Sequence, residues 1–189
     1  MNKTLLAILA TLITSCCTKV EFKKNDYFWF DKYEKGEKII FLSDKGDYDT
    51  IEITETVLNK PTGDCNLMVS NYDRAFARVD YGIKKDTFKI HDDYFVQQSA
   101  ELDNKDAIPV LRLFNMEFND FEGALIPTST KLSTLDKEFL ECYVFDSRNC
   151  AMNYNQNFGM VKFIWSRELG LIRYENDKGE SWEFLKKEK

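Results

Sequence analysis

The C-terminal third of the chain carries the pattern that most constrains the fold. Residues 160–165, 171–175 and 181–185 are three short runs rich in aromatic and β-branched side chains. The stretches between them, residues 166–170 and 176–179, both end in glycine, which tight turns favour. The pattern predicts three consecutive antiparallel strands that form a meander.

Upstream segments repeat this strand pattern. Apolar Ile51, Ile53 and Val57 alternate with polar neighbours, which is the period of a strand with one face in solvent. A turn at residues 44–47 makes this strand the second arm of a hairpin. The predicted strands outside the meander cover residues 38–43, 50–58, 65–70, 75–83, 87–96, 108–118 and 139–145.

Two further segments bear on the fold class. The four aromatic residues 27–30 begin the ordered domain as a strand, with core burial favoured over an exposed aromatic pair. Ser133 can cap a short helix over residues 133–140, although the composition of residues 139–145 favours strand. Aromatic residues make up 14% of the chain and there are three prolines, which also favours strands. We therefore expect a mainly β protein, an antiparallel sandwich or half-open barrel of eight to ten strands with at most one short helix.

The N-terminus carries an export signal. Lys3 precedes an apolar run over residues 5–13, which is too short to span a bilayer but long enough for a signal peptide. The run ends in Ile-Thr-Ser-Cys at residues 13–16, which resembles the lipobox of bacterial lipoprotein precursors. The resemblance implies that Cys16 becomes the lipidated first residue of the mature protein. An ordinary signal peptide cut nearby is the alternative.

This cleavage site sets the expected domain organisation and location. Residues 1–15 are the signal peptide, residues 16–26 a lipidated tether, and residues 27–189 one β-rich domain. Cys17 stands where an inner-membrane retention signal would place Asp, so the expected location is the cell envelope, anchored by lipid to the outer membrane. Acyl chains on Cys16 supply the membrane attachment.

The C-terminal sequence also resembles a known group of proteins. The ending WSRELGLIRYE, residues 165–175, and GESWEF, residues 179–184, are similar to the ending of small exported bacterial lipoproteins of an uncharacterised family. The similarity covers about residues 137–185. The similarity implies the β-meander and does not indicate an activity.

Charge excludes one class of partner. Residues 1–15 carry a single charged side chain, Lys3, so their removal changes the net charge from −6 to −7. An acidic chain without a basic tract is a poor binder of nucleic acid. The same charge argues against electrostatic adhesion to anionic lipid.

Cysteine chemistry is left open by the sequence. With Cys16 assigned to lipid, Cys17, Cys65, Cys142 and Cys150 remain, and an exported protein can oxidise them. The favoured single disulfide is Cys142 with Cys150, because it closes a short loop between strand-like segments. In the alternative, Cys142 and Cys65 are buried free thiols.

Catalytic and metal-binding patterns are sparse. The chain has one histidine, His91, and no C-x-x-C motif, so we expect neither a transition metal nor a cofactor. Asp120 and Glu122 are two strand positions apart and can share a face, which keeps a carboxylate-dependent hydrolase as an alternative. The pairs Asp92 with Asp93 and Asp103 with Asp106 are further acidic clusters.

The expected function is a non-catalytic binding or interaction module with a glycan, a peptide or an envelope protein as its partner. Aromatic rings that stack on a ligand and amides that bond to it are the candidate contacts. These candidates are Tyr27, Trp29, Asn153, Tyr154 and Asn155. A half-barrel that carries lipid or lipoprotein in an apolar cavity is a further alternative.

Overall fold

Strands dominate the computed structural model of the chain, which describes residues 18–60, 72–74, 76–85, 88–100, 109–114, 116–119, 126–153 and 159–189. Within these ranges the regular structure consists of fourteen strands and two three-residue 3-10 helices, Tyr27–Trp29 and Ser147–Asn149. The strands are β1 (Thr18–Val20), β2 (Lys38–Ser43), β3 (Tyr48–Asn59), β4 (Tyr72–Arg74), β5 (Phe76–Lys85), β6 (Phe88–Ser99), β7 (Pro109–Leu113), β8 (Met116–Phe118), β9 (Thr128–Leu132), β10 (Lys137–Asp146), β11 (Met152–Asn153), β12 (Met160–Ser166), β13 (Gly170–Asn176) and β14 (Ser181–Glu188).

Twelve of these strands form one antiparallel sheet that curls into a half-barrel. The order is β11-β8-β7-β6-β5-β3-β2-β14-β13-β12-β10-β9. Phe118 on β8, near one edge, lies 5.2 Å between ring centroids from both Phe145 on β10 and Phe163 on β12, near the other edge. The Ala151 N–H, just after β10, donates to the carbonyl of Glu117 on β8 at 2.8 Å. The mainly β, half-open barrel prediction is confirmed.

The meander and the first hairpin follow the predicted strands closely. β12, β13 and β14 pair as consecutive antiparallel strands, and β2 has the predicted bounds. The strand predicted over residues 108–118 is instead two strands, because the chain turns at Phe114, which has a φ of +52°. Its N–H donates to the buried Tyr81 hydroxyl at 3.0 Å. The strand predicted at residues 65–70 lies outside the described residues.

Of two local predictions, one is wrong and one is confirmed. Residues 27–29 form a 3-10 helix in place of a strand, with the N–H of Phe30 donating to the Tyr27 carbonyl at 3.2 Å. A helix there lets four consecutive aromatic rings spread around the backbone. The strand favoured over residues 139–145 is confirmed as part of β10. The alternative, a helix over residues 133–140, is replaced by a hairpin turn, since Lys137 pairs with Leu132 across the hairpin. Asp136 in this turn has a φ of +46°, which a helix does not allow.

The ordered domain begins earlier than the predicted tether boundary at residue 27. β1 pairs in parallel with β4, and Val20 and Phe22 are buried in the hydrophobic core. The buried Asp26 carboxylate accepts a hydrogen bond from the Lys23 N–H at 2.7 Å. The predicted tether over residues 16–26 is therefore corrected, because apolar Val20 and Phe22 hold its second half against the domain.

Aromatic rings fill the concave side of the curl. Trp165 lies at its centre, with ring centroids 5.9 Å from Trp29, 5.6 Å from Tyr33 and 5.1 Å from Phe95. The Tyr33 hydroxyl accepts a hydrogen bond from the N–H of Leu171 at 2.8 Å. Burial raises the pKa of Tyr33, so the hydroxyl stays neutral.

At β13, side chains on the convex side of the sheet are buried as well as those on the concave side. Leu171 and Ile172 are adjacent and both fully buried, and neighbouring strand residues point to opposite faces of a sheet. The turn between β9 and β10 bonds to β14, since the Ser133 N–H and hydroxyl both donate to the Glu183 carboxylate at 2.7 and 2.6 Å. The turn of the β9–β10 hairpin is thus bonded to β14, and the first half of β10 extends beyond Ser166, where β12 ends.

Candidate functional site

A β-bulge in β10 is the origin of the candidate site. Phe139 pairs with Thr130 and Cys142 pairs with Thr128, so two residues of β10 oppose one residue of β9. Phe139 and Cys142 are both buried although they are three positions apart, which regular alternation does not allow. Leu140, inside the bulge, is 72% exposed. Bulges re-aim side chains in this way, and here an apolar one points into solvent.

A groove opens where β10 leaves β12. The pairing of the two strands ends at Cys142 with Ser166, and the last hydrogen bond runs from the Arg167 N–H to the Glu141 carbonyl at 2.9 Å. Beyond it lies a cavity of about 420 Å³ between the bulged segment and the turn after β12. We call this cavity the bulge groove. Its lining residues are Glu138, Phe139, Leu140, Glu141, Ser166, Arg167 and Glu168.

The bulge groove presents charges of both signs. Lys137 forms an ion pair with Glu168, and Arg167 lies 3.6 Å from the Glu141 carboxylate. The carboxylate side chains of Glu141 and Glu168 are 57% and 56% exposed, so both remain hydrated. Glu138 is exposed and forms no ion pair within the described part of the chain. Exposed pairs of this kind are weak and exchange readily.

Two half-buried aromatic rings adjoin the groove, and we call Phe28 and Tyr143 the aromatic rim. Their centroids are 6.0 Å apart with an interplanar angle of 30°, and the Arg167 guanidinium lies 5.1 Å from the Phe28 centroid. Trp29 supports both rings from below, at 4.3 Å from Phe28 and 5.5 Å from Tyr143. Burial raises the pKa of the Tyr143 hydroxyl, and the nearby Arg167 charge opposes that rise.

The aromatic residues predicted to contact a ligand lie elsewhere. Trp29 is buried, so it supports the rim and does not form an exposed surface. Tyr27 is half-buried against Phe22 and Phe30, with centroids 5.9 and 5.4 Å away. Among the predicted amide and ring contacts, Asn153 lies in β11, where its backbone pairs with Met116, and Tyr154 and Asn155 lie outside the described residues.

The predicted Cys142 to Cys150 disulfide is wrong. Both thiols are free: the Cys142 Sγ lies 3.4 Å from the Phe139 carbonyl, and the Cys150 Sγ lies 3.0 Å from the Ser147 carbonyl. Four extended residues already carry the chain about 13 Å beyond Cys142, whereas a disulfide needs Cα atoms within about 7 Å. Burial raises the pKa of Cys142, which keeps its thiol protonated.

A second depression provides a contrast, and we call it the hairpin pocket. It has a volume of about 310 Å³ and lies between the β9–β10 turn and the β2–β14 pair. Its Glu183 carboxylate accepts three hydrogen bonds, from the Ser133 N–H, the Ser133 hydroxyl and the Thr134 N–H at 3.2 Å. The full lining is Leu42, Ser43, Asp44, Ser133, Thr134, Ser181 and Glu183.

Metal-binding and carboxylate sites have little support among the described residues. No group of three or more His, Cys, Asp or Glu side chains is placed there to hold a metal ion. The predicted acidic pairs Asp103 with Asp106 and Asp120 with Glu122 lie outside those ranges. Among the helices that the structure describes, none has the length and apolar character to cross a bilayer.

Comparisons with known proteins identify no relative of the chain. No family model, curated protein or solved structure matches the chain.

Sequence reasoning missed the bulge groove for a specific reason. Alternation was used to find strands, and a bulge interrupts alternation within a strand. The available signal was Phe-Leu-Glu-Cys at residues 139–142, where apolar Phe139 and Cys142 are spaced by three inside a segment of strand composition. Arg167 was assigned to a turn, and its approach to Phe28 depends on a contact between residues far apart in sequence.

Proposed function

We propose that the protein is a non-catalytic, lipid-anchored module of the cell envelope that binds its ligand in the bulge groove. The observation that carries the proposal is Leu140, an apolar side chain that the bulge directs into solvent between exposed charges. An exposed apolar group with a polar border is typical of an interaction surface. The aromatic rim extends this surface beyond Arg167.

The carboxylates of the groove favour binding over catalysis. A carboxyl that acts as a general acid near neutral pH needs burial to raise its pKa. Glu141 and Glu168 are more than half exposed, so neither has the burial that this role needs. A hydrolase at this groove therefore has less support.

The binding proposal is tested by calorimetry with a panel of envelope glycans and short peptides. Leu140→Ser should weaken binding of any panel ligand that the wild type holds in the groove, because the ligand loses its apolar contact. Leu58→Ser is the matched control, since Leu58 is also exposed but lies at the end of β3. Equal binding by both variants, or a wild type that binds nothing in the panel, would refute the proposal.

Attachment to the membrane is proposed to occur through acyl chains on Cys16. Growth with a labelled fatty acid should tag the wild type and the Cys17→Ser variant but not Cys16→Ser. Separation of the membranes should place the tagged protein in the outer membrane. Label that persists on Cys16→Ser would end the lipoprotein proposal, and tagged protein in the inner membrane would end the outer-membrane assignment.

The lipid carrier is the second candidate, and one observation favours it. Trp165 is 1% exposed on the concave side, and its indole N–H has no hydrogen-bond acceptor among the described residues. A ligand carbonyl that entered the curl would supply one. Binding of a fluorescent fatty acid with quenching of tryptophan emission, weakened by Trp165→Phe, would support a carrier. An unquenched spectrum would leave the groove as the better site.

A further inference from the structure

We infer that the bulge groove takes an extended polypeptide segment that carries a basic side chain next to an apolar one. The inference rests on the proposed function, because it names the ligand class of the same groove. Three properties of the lining carry it: the distribution of charge, the open side of β10, and the scarcity of groups that bind sugars.

Charge complementarity indicates a cationic ligand. The groove has three carboxylates, Glu138, Glu141 and Glu168, and two cations, Arg167 in the lining and Lys137 beside it. Lys137 and Arg167 already lie beside Glu168 and Glu141, which shows that ammonium and guanidinium groups fit against this surface. Glu138, which is exposed and forms no ion pair with a described residue, can bind a basic side chain of the ligand.

The backbone of β10 offers a partner for an extended chain. From Lys137 to Leu140, β10 has β9 on one side, while on the other side the first backbone hydrogen bond is that of the Glu141 carbonyl with the Arg167 N–H. An extended peptide can add to such an open strand segment through main-chain hydrogen bonds. Leu140 lies within this segment, so an apolar side chain of the peptide would contact it.

The lining has few of the neutral polar groups that recognise sugars. Hydroxyls and amides that bond to sugar hydroxyls are the usual contacts, together with a stacked ring. The groove has no amide side chain, and its single hydroxyl, on Ser166, is buried and accepts a hydrogen bond from the Glu168 N–H at 3.1 Å. A peptide therefore fits the lining better than a glycan.

Three probes test the inference with the mature protein. They are a fluorescent Lys-Leu-Lys-Val-Lys peptide, its Glu-Leu-Glu-Val-Glu analogue and a labelled neutral oligosaccharide. Fluorescence anisotropy should show the basic peptide bound at least about tenfold more tightly than the acidic one, with weaker binding at high salt. Glu138→Gln should weaken the basic peptide by about threefold to tenfold. Glu55→Gln is the control for loss of a glutamate charge outside the groove, because Glu55 is a half-buried glutamate on β3, five strands away in the sheet order, where it forms an ion pair with Lys35.

The outcomes separate the inference from the proposed function. Equal affinity for the basic and acidic peptides, or an equal effect of Glu138→Gln and Glu55→Gln, would overturn the inference. Binding of the oligosaccharide that is lost in Leu140→Ser would also overturn it, while the groove would stand as a binding site. Failure of all three probes with the wild type would count against the inference and the proposed function together.

Discussion

The bulge groove and the hairpin pocket are two polar depressions on one molecule, and they use their carboxylates in opposite ways. In the hairpin pocket, Glu183 is largely buried and its oxygen Oε2 accepts three hydrogen bonds from Ser133 and Thr134. In the bulge groove, Glu138 and Glu141 are exposed, and the nearest cation to Glu141 is 3.6 Å away. The first carboxylate stabilises the fold, and the others remain accessible to a ligand.

The difference shows how one hairpin, β9–β10, can both stabilise the fold and present accessible carboxylates. At its turn, the β9–β10 hairpin is bonded to β14 through the Glu183 carboxylate and the Phe184 carbonyl. Residues 138–141 of β10 lie beyond Ser166, where β12 ends, and they line the groove. The same hairpin therefore has a bonded turn and an accessible bulge.

The largest expected effect distinguishes two leucines of the same hairpin. Leu132→Ala should lower the free energy of unfolding by about 2 to 5 kcal/mol, because Leu132 is 0% exposed and its removal leaves a cavity. Leu140→Ala should change it by less than about 0.5 kcal/mol, since Leu140 is in solvent. Urea denaturation of both variants measures this. A large loss for Leu140→Ala would mean that the bulge side chain belongs to the core.

The next effect concerns the hairpin pocket. Glu183→Ala should cost about 1 to 3 kcal/mol in urea denaturation, because three donors of the turn lose their acceptor. Glu188→Ala, on the same strand, should cost less than about 0.5 kcal/mol, since Glu188 forms an exposed pair with Lys186. Similar losses for the two variants would remove the contrast between a bonded and an accessible carboxylate.

A smaller effect reports on the border between the groove and the aromatic rim. The Arg167 charge holds down the pKa of the Tyr143 hydroxyl, which burial raises. Arg167→Ala should therefore raise the pKa of Tyr143 further, and ultraviolet absorbance of the phenolate measures it against a Tyr143→Phe reference. An unchanged pKa would place Arg167 away from Tyr143.

The smallest effect is at the far end of β10. Hydrogen bonds from Arg148 lower the pKa of the Asp146 carboxyl from 3.8 to about 2. Because the folded pKa is the lower one, this stabilisation is present above about pH 4 and is lost as the pH falls through 2. Arg148→Ala should raise the pKa of Asp146 towards 3.8, and carbon-13 NMR of the carboxyl group measures it. A pKa that stays near 2 in the variant would assign the shift to another group.

The sequence predicted the regular part of the fold because alternation and turn glycines are local signals. The strands of the meander and the first hairpin needed only Ile51, Ile53 and the turns at residues 44–47 and 176–179. The half-barrel remained one of two alternatives, since closure depends on contacts such as Phe118 with Phe145, which are distant in sequence.

The candidate site could not be predicted in the same way. Trp29 was expected near a ligand on the strength of its aromatic character, and the structure buries it against Trp165. Residues 139–142 carried the composition of a strand, and only the register with β9 shows the bulge. The predicted disulfide was wrong because sequence spacing does not report the extended length of β10.

The most direct test is an NMR map of backbone amide shifts in the wild type during titration with the Lys-Leu-Lys-Val-Lys peptide. We expect the largest shifts at residues 138–141 and 166–168, with the hairpin pocket at residues 42–44 and 133–134 unaffected. Shifts concentrated at the hairpin pocket or on the concave side, or no shifts at a saturating concentration, would contradict the assignment of binding to the bulge groove.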